Sequence, residues 1–282
     1  MTVARASVVI PAHNEARTIG RNLAALRAGA RELDLDVVVV CNGCTDGTAE
    51  AARAADPAAR VIEIPQPSKT EAVRVGNAAT SVFPRVHLDA DVELSGTDLR
   101  VLLEPLARGE ALATAPRRRL PRDGCSRWVE WYYDVWEELP QVRAGLFGRG
   151  VVAVAADAQA RIERLPTLMS DDLAISEVLD REERRVVEGA TVVVHPPRTL
   201  RDLVRRRIRV ATGNVQAGRA GVRRAESVTR PATLLAMVGR RPSLAPRLPV
   251  FLAVTVVARL GARRAVRAGD FTTWQRDESS RR

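Results

Sequence analysis

A chain of 282 residues, 46% apolar and 28% charged, can bury one substantial core or a core with an appendage, and is too apolar for a disordered segment. Three cysteines, Cys41, Cys44 and Cys125, exclude a disulfide framework and a four-thiolate zinc site, so a reducing compartment is expected. The net charge of +10 is uneven: residues 1–197 hold 24 Lys and Arg against 29 Asp and Glu, residues 198–282 hold 20 against 5, and Lys69 is the only lysine.

The first residues, MTVARASVVIPAHNE, lack the basic flank, apolar run and small-residue cleavage site of a signal peptide. Short β-branched runs then alternate with amphipathic helical stretches, the pattern of βαβ units. Strands are predicted over residues 7–10, 37–41, 61–64, 86–88 and 112–115. Helices fall between them near 16–30, 48–55, 70–81 and 97–108, the last closed by Gly109. The fold class is α/β: a single, mostly parallel twisted sheet flanked by helices, followed by a basic C-terminal helical extension. In such sheets ligands bind beyond the carboxyl ends of the strands.

Three strand ends carry polar clusters that would share one rim: Pro11-Ala12-His13-Asn14-Glu15, Asn42-Gly43-Cys44-Thr45-Asp46-Gly47 and Asp89-Ala90-Asp91. Two carboxylates spaced as in Asp89-Ala90-Asp91 can approach one hard cation, and Mg²⁺ or Mn²⁺ suits them because such ions take oxygen ligands and bridge to phosphates. At the first cluster, Pro11 is expected to stop the strand, while Asn14 and Glu15 offer partners to a base or ribose, or Asn14 caps the helix from Ala16. Asp46 or Thr48 can cap the next helix. Cys41 and Cys44 form C-x-x-C without a partner pair, which argues against zinc or redox chemistry.

Beyond Pro116 come an Arg-rich loop, a helix with Trp128, Trp131, Tyr132, Tyr133 and Trp136, a strand at 151–155, and Ser170-Asp171-Asp172. The near-helical spacing of the aromatics favours core packing over sugar stacking. Asp171 and Asp172 can act as base and orienter toward a hydroxyl, or cap the helix over 171–179. His195 follows a strand at 192–194 and is a candidate metal ligand or a structural histidine. Residues 248–260, LPVFLAVTVVARL, are about half the length needed to span hydrocarbon and contain Arg259, so they read as a buried or interfacial helix.

Taken together, the runs SVVIPAHNEARTIGRNLAAL, VVVVCNGCTDGTAE, SKTEAVRVGNAA, HLDADV and SDDLAIS resemble the inverting family-2 glycosyltransferases of the type A fold, in their small bacterial form, over residues 6–215. The resemblance implies that Pro11, Asn14, Glu15 and Asn42 line a nucleotide pocket and that Lys69 faces the donor. It implies that Asp89 and Asp91 hold metal and diphosphate, and that Asp172 is the catalytic base. Arg206 and Arg209 match the motif facing the donor diphosphate. Cys44 stands where Ser is usual and Asp171 where Glu is more common. Arg206-Arg207-Ile208-Arg209-Val210 replaces the Gln-X-X-Arg-Trp of processive enzymes, so transfer of one sugar is expected.

The expected enzyme is therefore a metal-dependent glycosyltransferase using a nucleoside-diphosphate sugar and an acceptor hydroxyl, in cell-surface polysaccharide, glycolipid or secondary glycoconjugate synthesis. Its expected domains are residues 1–215, divided into a nucleotide-binding half (1–115) and an acceptor half (116–215), and a basic extension (216–282). A nucleotidyltransferase making the sugar nucleotide is the alternative enzyme, but it would carry a Gly-rich phosphate loop near the N-terminus, and residues 11–15 have no glycine. A nucleic-acid binder would interleave basic residues with exposed aromatics, and residues 198–282 offer only Phe251, Phe271 and Trp274, so no nucleic-acid partner is expected. The basic segment points instead to a cytoplasmic protein in peripheral contact with the anionic inner face of the membrane, where a lipid-linked acceptor would be presented.

Overall fold

The computed structural model describes residues 4–30, 32–165, 171–221 and 229–268, with the backbone alone for 4 and 171–174. Residue contacts divide the chain into two interleaved units: residues 1–120, 146–165 and 178–194, and residues 121–145, 166–177 and 195–282. The division therefore falls elsewhere than the expected boundaries at 115 and 215, and residues 216–282 share their unit with 195–215 and 121–145.

The first unit is built on an eight-stranded sheet: β1 (Ala4–Ala12), β2 (Leu33–Asn42), β3 (Arg60–Ile64), β4 (Arg85–Leu88), β5 (Val92–Leu94), β6 (Ala113–Arg119), β7 (Val151–Val154) and β8 (Arg184–Val194), in the order β3-β2-β1-β4-β7-β6-β8-β5. Its first half is parallel, as the βαβ pattern predicts, with β2 pairing β1 and β3, and β1 pairing β4. Its second half is mixed, because β7 runs antiparallel to both β4 and β6, and β5 antiparallel to β8.

Alternation along β1 and β2 sorts the core into two layers. Val8, Ile10, Val37 and Val39 face α1 (Ile19–Arg27), α2 (Thr48–Ala55) and α4 (Gly96–Ala107), whose Leu23, Ala52 and Leu102 are fully buried against them. Val38 and Val40 face the other way, onto Ala72 of α3 (Lys69–Ala78). Gly76 allows α3 to lie that close: a Cβ there would come within 2.4 Å of Val9 Cγ1. Gly109, at φ +69°, ends α4 as the sequence predicts.

Two local expectations are corrected. Pro11 does not end β1, which runs on to Ala12 in register with Cys41. Since β4 pairs with β1 only as far as Val9, the strand beyond that point is bonded on one side and tolerates a residue without an N–H. Asn14 does not cap a helix starting at Ala16; α1 begins at Ile19, and Asn14 stands in the left-handed region at φ 53°. Asparagine reaches that region more readily than other side chains, and its Oδ1 instead accepts from Thr45 N at 2.7 Å.

The second unit is helical: α5 (Arg127–Glu138), α6 (Pro140–Ala144), α9 (Leu200–Arg219), α10 (Pro231–Arg240), a 3₁₀ turn (Pro242–Arg247) and α11 (Leu248–Arg267). Between them in the chain lie α7 (Ala156–Ile162), in the first unit, and α8 (Asp171–Val178), which straddles the division. The aromatic run on α5 is largely core, with Tyr132, Tyr133 and Trp136 buried and the Tyr132 ring stacked on Phe251 of α11 at 5.3 Å. Burial pushes the Tyr132 hydroxyl up to about 12. Arg207 of α9 lies over Tyr132 and Trp136, 5.7 and 5.8 Å from the ring centroids.

Candidate functional site

The site is assembled at the carboxyl ends of β1, β2 and β4, all in the first unit. The exits of β1 and β2 are interlocked. Thr48, fully buried, accepts from Glu15 N at 2.8 Å, and Asp46 accepts from Ala16 N at 3.2 Å and Thr48 N at 3.1 Å. The N-cap of α2 is Gly47, without a side-chain cap, so neither Asp46 nor Thr48 is the cap expected from sequence; Asp46 instead bonds the N–H of Thr48, the first helical residue. Cys44 accepts from Asn14 N at 3.4 Å and donates to Ala12 O at 3.6 Å, so the thiol bonds the neighbouring backbone much as a serine hydroxyl would. Cys41 is buried, and burial, with Cys44 second, pushes its thiol up to about 12, leaving it protonated and inert.

Within this frame Asn42 and Glu15 are both buried. Asn42 donates to Ala12 O at 2.7 Å, and its own carbonyl meets His13 Nδ1 at 2.5 Å. Glu15 Oε2 accepts from Thr18 Oγ1 at 2.8 Å. Pro11 is half-buried in β1.

The third exit holds the two carboxylates. Asp89 N donates to Gly150 O at 2.8 Å, and the carbonyl between the carboxylates, Ala90 O, accepts from the buried Asn22 of α1 at 2.5 Å. Lys69 opens α3 behind Ser68, whose hydroxyl accepts from Glu71 N at 3.2 Å. Its Nζ lies 2.8 Å from Asp89 Oδ1, with the two side chains 25% and 37% exposed, so both remain within reach of a ligand from solvent.

Gly150 has φ +67°, and a Cβ there would come within 2.6 Å of Val92 Cγ1 and 3.3 Å of Asp89 Oδ2. Its missing side chain lets this loop pack closely against Val92 and the carboxylate. These features fit a hard divalent ion: oxygen donors two residues apart on a strand exit and a neighbouring cation already paired with one of them. Among the described residues no three His, Cys, Asp or Glu side chains gather at one point.

Asn22, Gly150 and Arg149 escaped the sequence reading. Arg149 is buried and donates to Pro116 O at 2.9 Å, and burial, with Arg118 second, pushes its guanidinium down to about 9. The run Phe147-Gly148-Arg149-Gly150, two glycines around an arginine, was the one visible signal.

The remaining predicted residues belong to the second unit. His195 follows Val194, the last residue of β8, and its carbonyl accepts from Arg206 at 3.2 Å. Arg206 and Arg209 both lie on α9. Asp171 and Asp172 form the first turn of α8, with side chains outside the described residues, as is Ser170 before them.

The model of the family described as glycosyl transferase family 2 matches residues 7–160, covering the three strand ends and the glycine at 150. Curated relatives include uncharacterized glycosyltransferases of Mycobacterium tuberculosis and Mycobacterium bovis, each 37% identical over 112 residues, or 40% of this chain and 48% of theirs. The chain thus spans about half the length of the curated relatives it matches. Solved structures of similar fold include a mannosyltransferase from Pyrobaculum calidifontis in complex with GDP-Man and Mn²⁺, at TM-score 0.61 and 20% identity over 94% of this chain and 79% of that one. Another is glucosyl-3-phosphoglycerate synthase from Mycobacterium tuberculosis with Mn²⁺, UDP-Glc and phosphoglyceric acid, at TM-score 0.57 and 22% identity over 79% and 82%. At these identities the likeness is one of fold, the type A glycosyltransferase fold. With more than half of its length matched by the family's model, the chain belongs to glycosyl transferase family 2.

Proposed function

We propose that this protein transfers one sugar from a nucleoside-diphosphate sugar to an acceptor hydroxyl, with a divalent cation, Mg²⁺ or Mn²⁺, at Asp89 and Asp91. The observation carrying the reading is the Lys69–Asp89 pair, 2.8 Å apart at the end of a parallel strand, inside the stretch matched by the family model. The two structures of similar fold, crystallised with Mn²⁺ and a nucleotide sugar, support it.

In the reaction the acceptor oxygen bonds to the anomeric carbon as the bond from that carbon to the diphosphate breaks, and the hydroxyl proton leaves to a base. When bound, the metal offsets the charge that builds on the departing diphosphate. Lys69 offers a second positive charge there, and Arg206 and Arg209 are further candidates from the family motif. Asp172 is the proposed base and Asp171 its orienting neighbour. A single displacement of this kind inverts the anomeric centre. His195 is proposed as a further metal ligand, a role in which a neutral imidazole is common. Pro11, Asn14, Glu15 and Asn42 are proposed to shape the nucleotide pocket, with Asn42 and Glu15 acting from beneath by holding the β1 and β2 exits together.

The test is nucleoside diphosphate release from a panel of uridine, guanosine and thymidine diphosphate sugars, with Mn²⁺ and candidate acceptors. Release of one diphosphate, with the sugar recovered on the acceptor, is the expected result. Absence of release from every donor would contradict the reading.

A further inference from the structure

The outer face of α11 carries apolar side chains at its start and arginines at its end. Leu252, Val256, Val257 and Leu260 are 42–53% exposed, and Arg259, Arg263, Arg264 and Arg267 follow on the same face at spacings of three and four. The opposite face, with Phe251, Val254, Ala258 and Ala262, is buried against α9 and α5 of the same unit. Large aliphatic side chains aligned at helical spacing in solvent call for a covering.

The charge on this face says what kind. Residues 231–268 contain seven arginines and no Asp or Glu. Arg241 and Arg247 pair with Glu138 and Asp134, whereas none of the four arginines ending α11 makes an ion pair with a described residue. A second copy of the chain is a poor cover, since burying this face against itself would desolvate arginines with no carboxylate on either helix. A surface that offers hydrocarbon beside phosphates suits both halves.

Spanning is the other possibility, because the stretch Pro242–Arg267 is long and apolar enough to cross a bilayer by length and composition. The expectation that residues 248–260 alone are too short is thereby extended: the apolar stretch reaches back through the 3₁₀ turn at Pro242–Arg247. Packing decides the matter. Gly261 brings α11 so close to α9 that a Cβ there would lie 2.7 Å from Ile208 Cδ1, and α9 carries six arginines. A helix bound along its length to so charged a partner cannot enter hydrocarbon without it.

We infer that the outer face of α11 docks this protein on an anionic bilayer surface, with Leu252, Val256, Val257 and Leu260 in the acyl boundary and Arg259, Arg263, Arg264 and Arg267 on lipid phosphates. The inference goes beyond the catalytic reading and does not depend on it.

Co-sedimentation of the full chain with vesicles tests it, using phosphatidylcholine alone and phosphatidylcholine mixed with phosphatidylglycerol. The chain should pellet with the mixed vesicles only and be released by high salt. Replacing the four arginines by Gln, or Val256 and Leu260 by Ser, should each weaken pelleting at least about tenfold while leaving the far-ultraviolet spectrum unchanged, because all six side chains are exposed. Absence of pelleting at low salt, equal pelleting of both variants, or recovery from cells only with detergent would overturn the inference. Self-association lost in the Ser variant, without vesicle binding, would assign the face to a second copy and overturn it equally.

Discussion

Lys69 Nζ sits 2.8 Å from Asp89 Oδ1, joining the first residue of α3 to the carboxylate after β4. The only lysine of an arginine-rich chain therefore holds the oxygen that a divalent ion would take. A compact ammonium on a flexible stem can leave one anion for another more readily than a guanidinium fixed in a two-pronged pairing.

Two opposite effects are expected from Lys69→Met. Turnover should fall by about 10² to 10³, the usual loss when a group stabilising developing charge is removed. Mn²⁺ binding to the donor-free protein, followed by electron paramagnetic resonance, should tighten because a competing cation is gone. Weaker Mn²⁺ binding in the variant would show that Lys69 does not compete for Asp89.

Gly150→Ala should destabilise the first unit by about 1–3 kcal/mol for a side chain in the left-handed region, with overlap at Val92 adding to it. Because Asp89 N donates to Gly150 O, the carboxylate should shift as well, and metal affinity should fall with stability. Urea unfolding gives the first quantity and Mn²⁺ titration the second. A variant of unchanged stability would mean that the loop relaxes freely and Gly150 does not set the position of Asp89.

For the base, Asp172→Asn should lower transfer by about 10² to 10⁴ while donor affinity survives, since the amide keeps the shape but cannot take the hydroxyl proton. If Asp171→Asn loses turnover and Asp172→Asn keeps it, the assignment moves by one residue.

The parallel half of the sheet was legible because β1, β2 and β4 are buried strands whose apolar runs stand out between helical stretches, and the three polar strand ends followed from it. The mixed half was harder. β8 is exposed or half-exposed along much of Arg184–Gly189, so only its last residues, Val192 to Val194, read as a strand. β5 has three residues, too few for a period. β6 runs on through Arg117, Arg118 and Arg119, which composition assigns to a loop.

Within the site, residue types were readable but their direction was not. Asn42 and Glu15, expected from sequence to line a nucleotide pocket, are buried, Asn42 donating to Ala12 O and the Glu15 carboxylate accepting from Thr18 Oγ1. Asn22 on α1 and Gly150 before β7 act on the carboxylate pair from distant parts of the chain, a relation that no local spacing records.

The most direct test of the central claim is a thermal-shift titration of the full chain with uridine, guanosine and thymidine diphosphate sugars, with and without Mn²⁺, beside Asp91→Ala. A ligand that binds only the folded state at about 100 times its Kd adds about 2.7 kcal/mol. One donor class should therefore raise Tm in the presence of Mn²⁺, and that rise should vanish without the metal and in Asp91→Ala. A Tm unmoved by every nucleotide sugar, or a rise that Asp91→Ala and metal removal leave intact, would contradict the assignment of a metal-dependent nucleotide-sugar site to this rim.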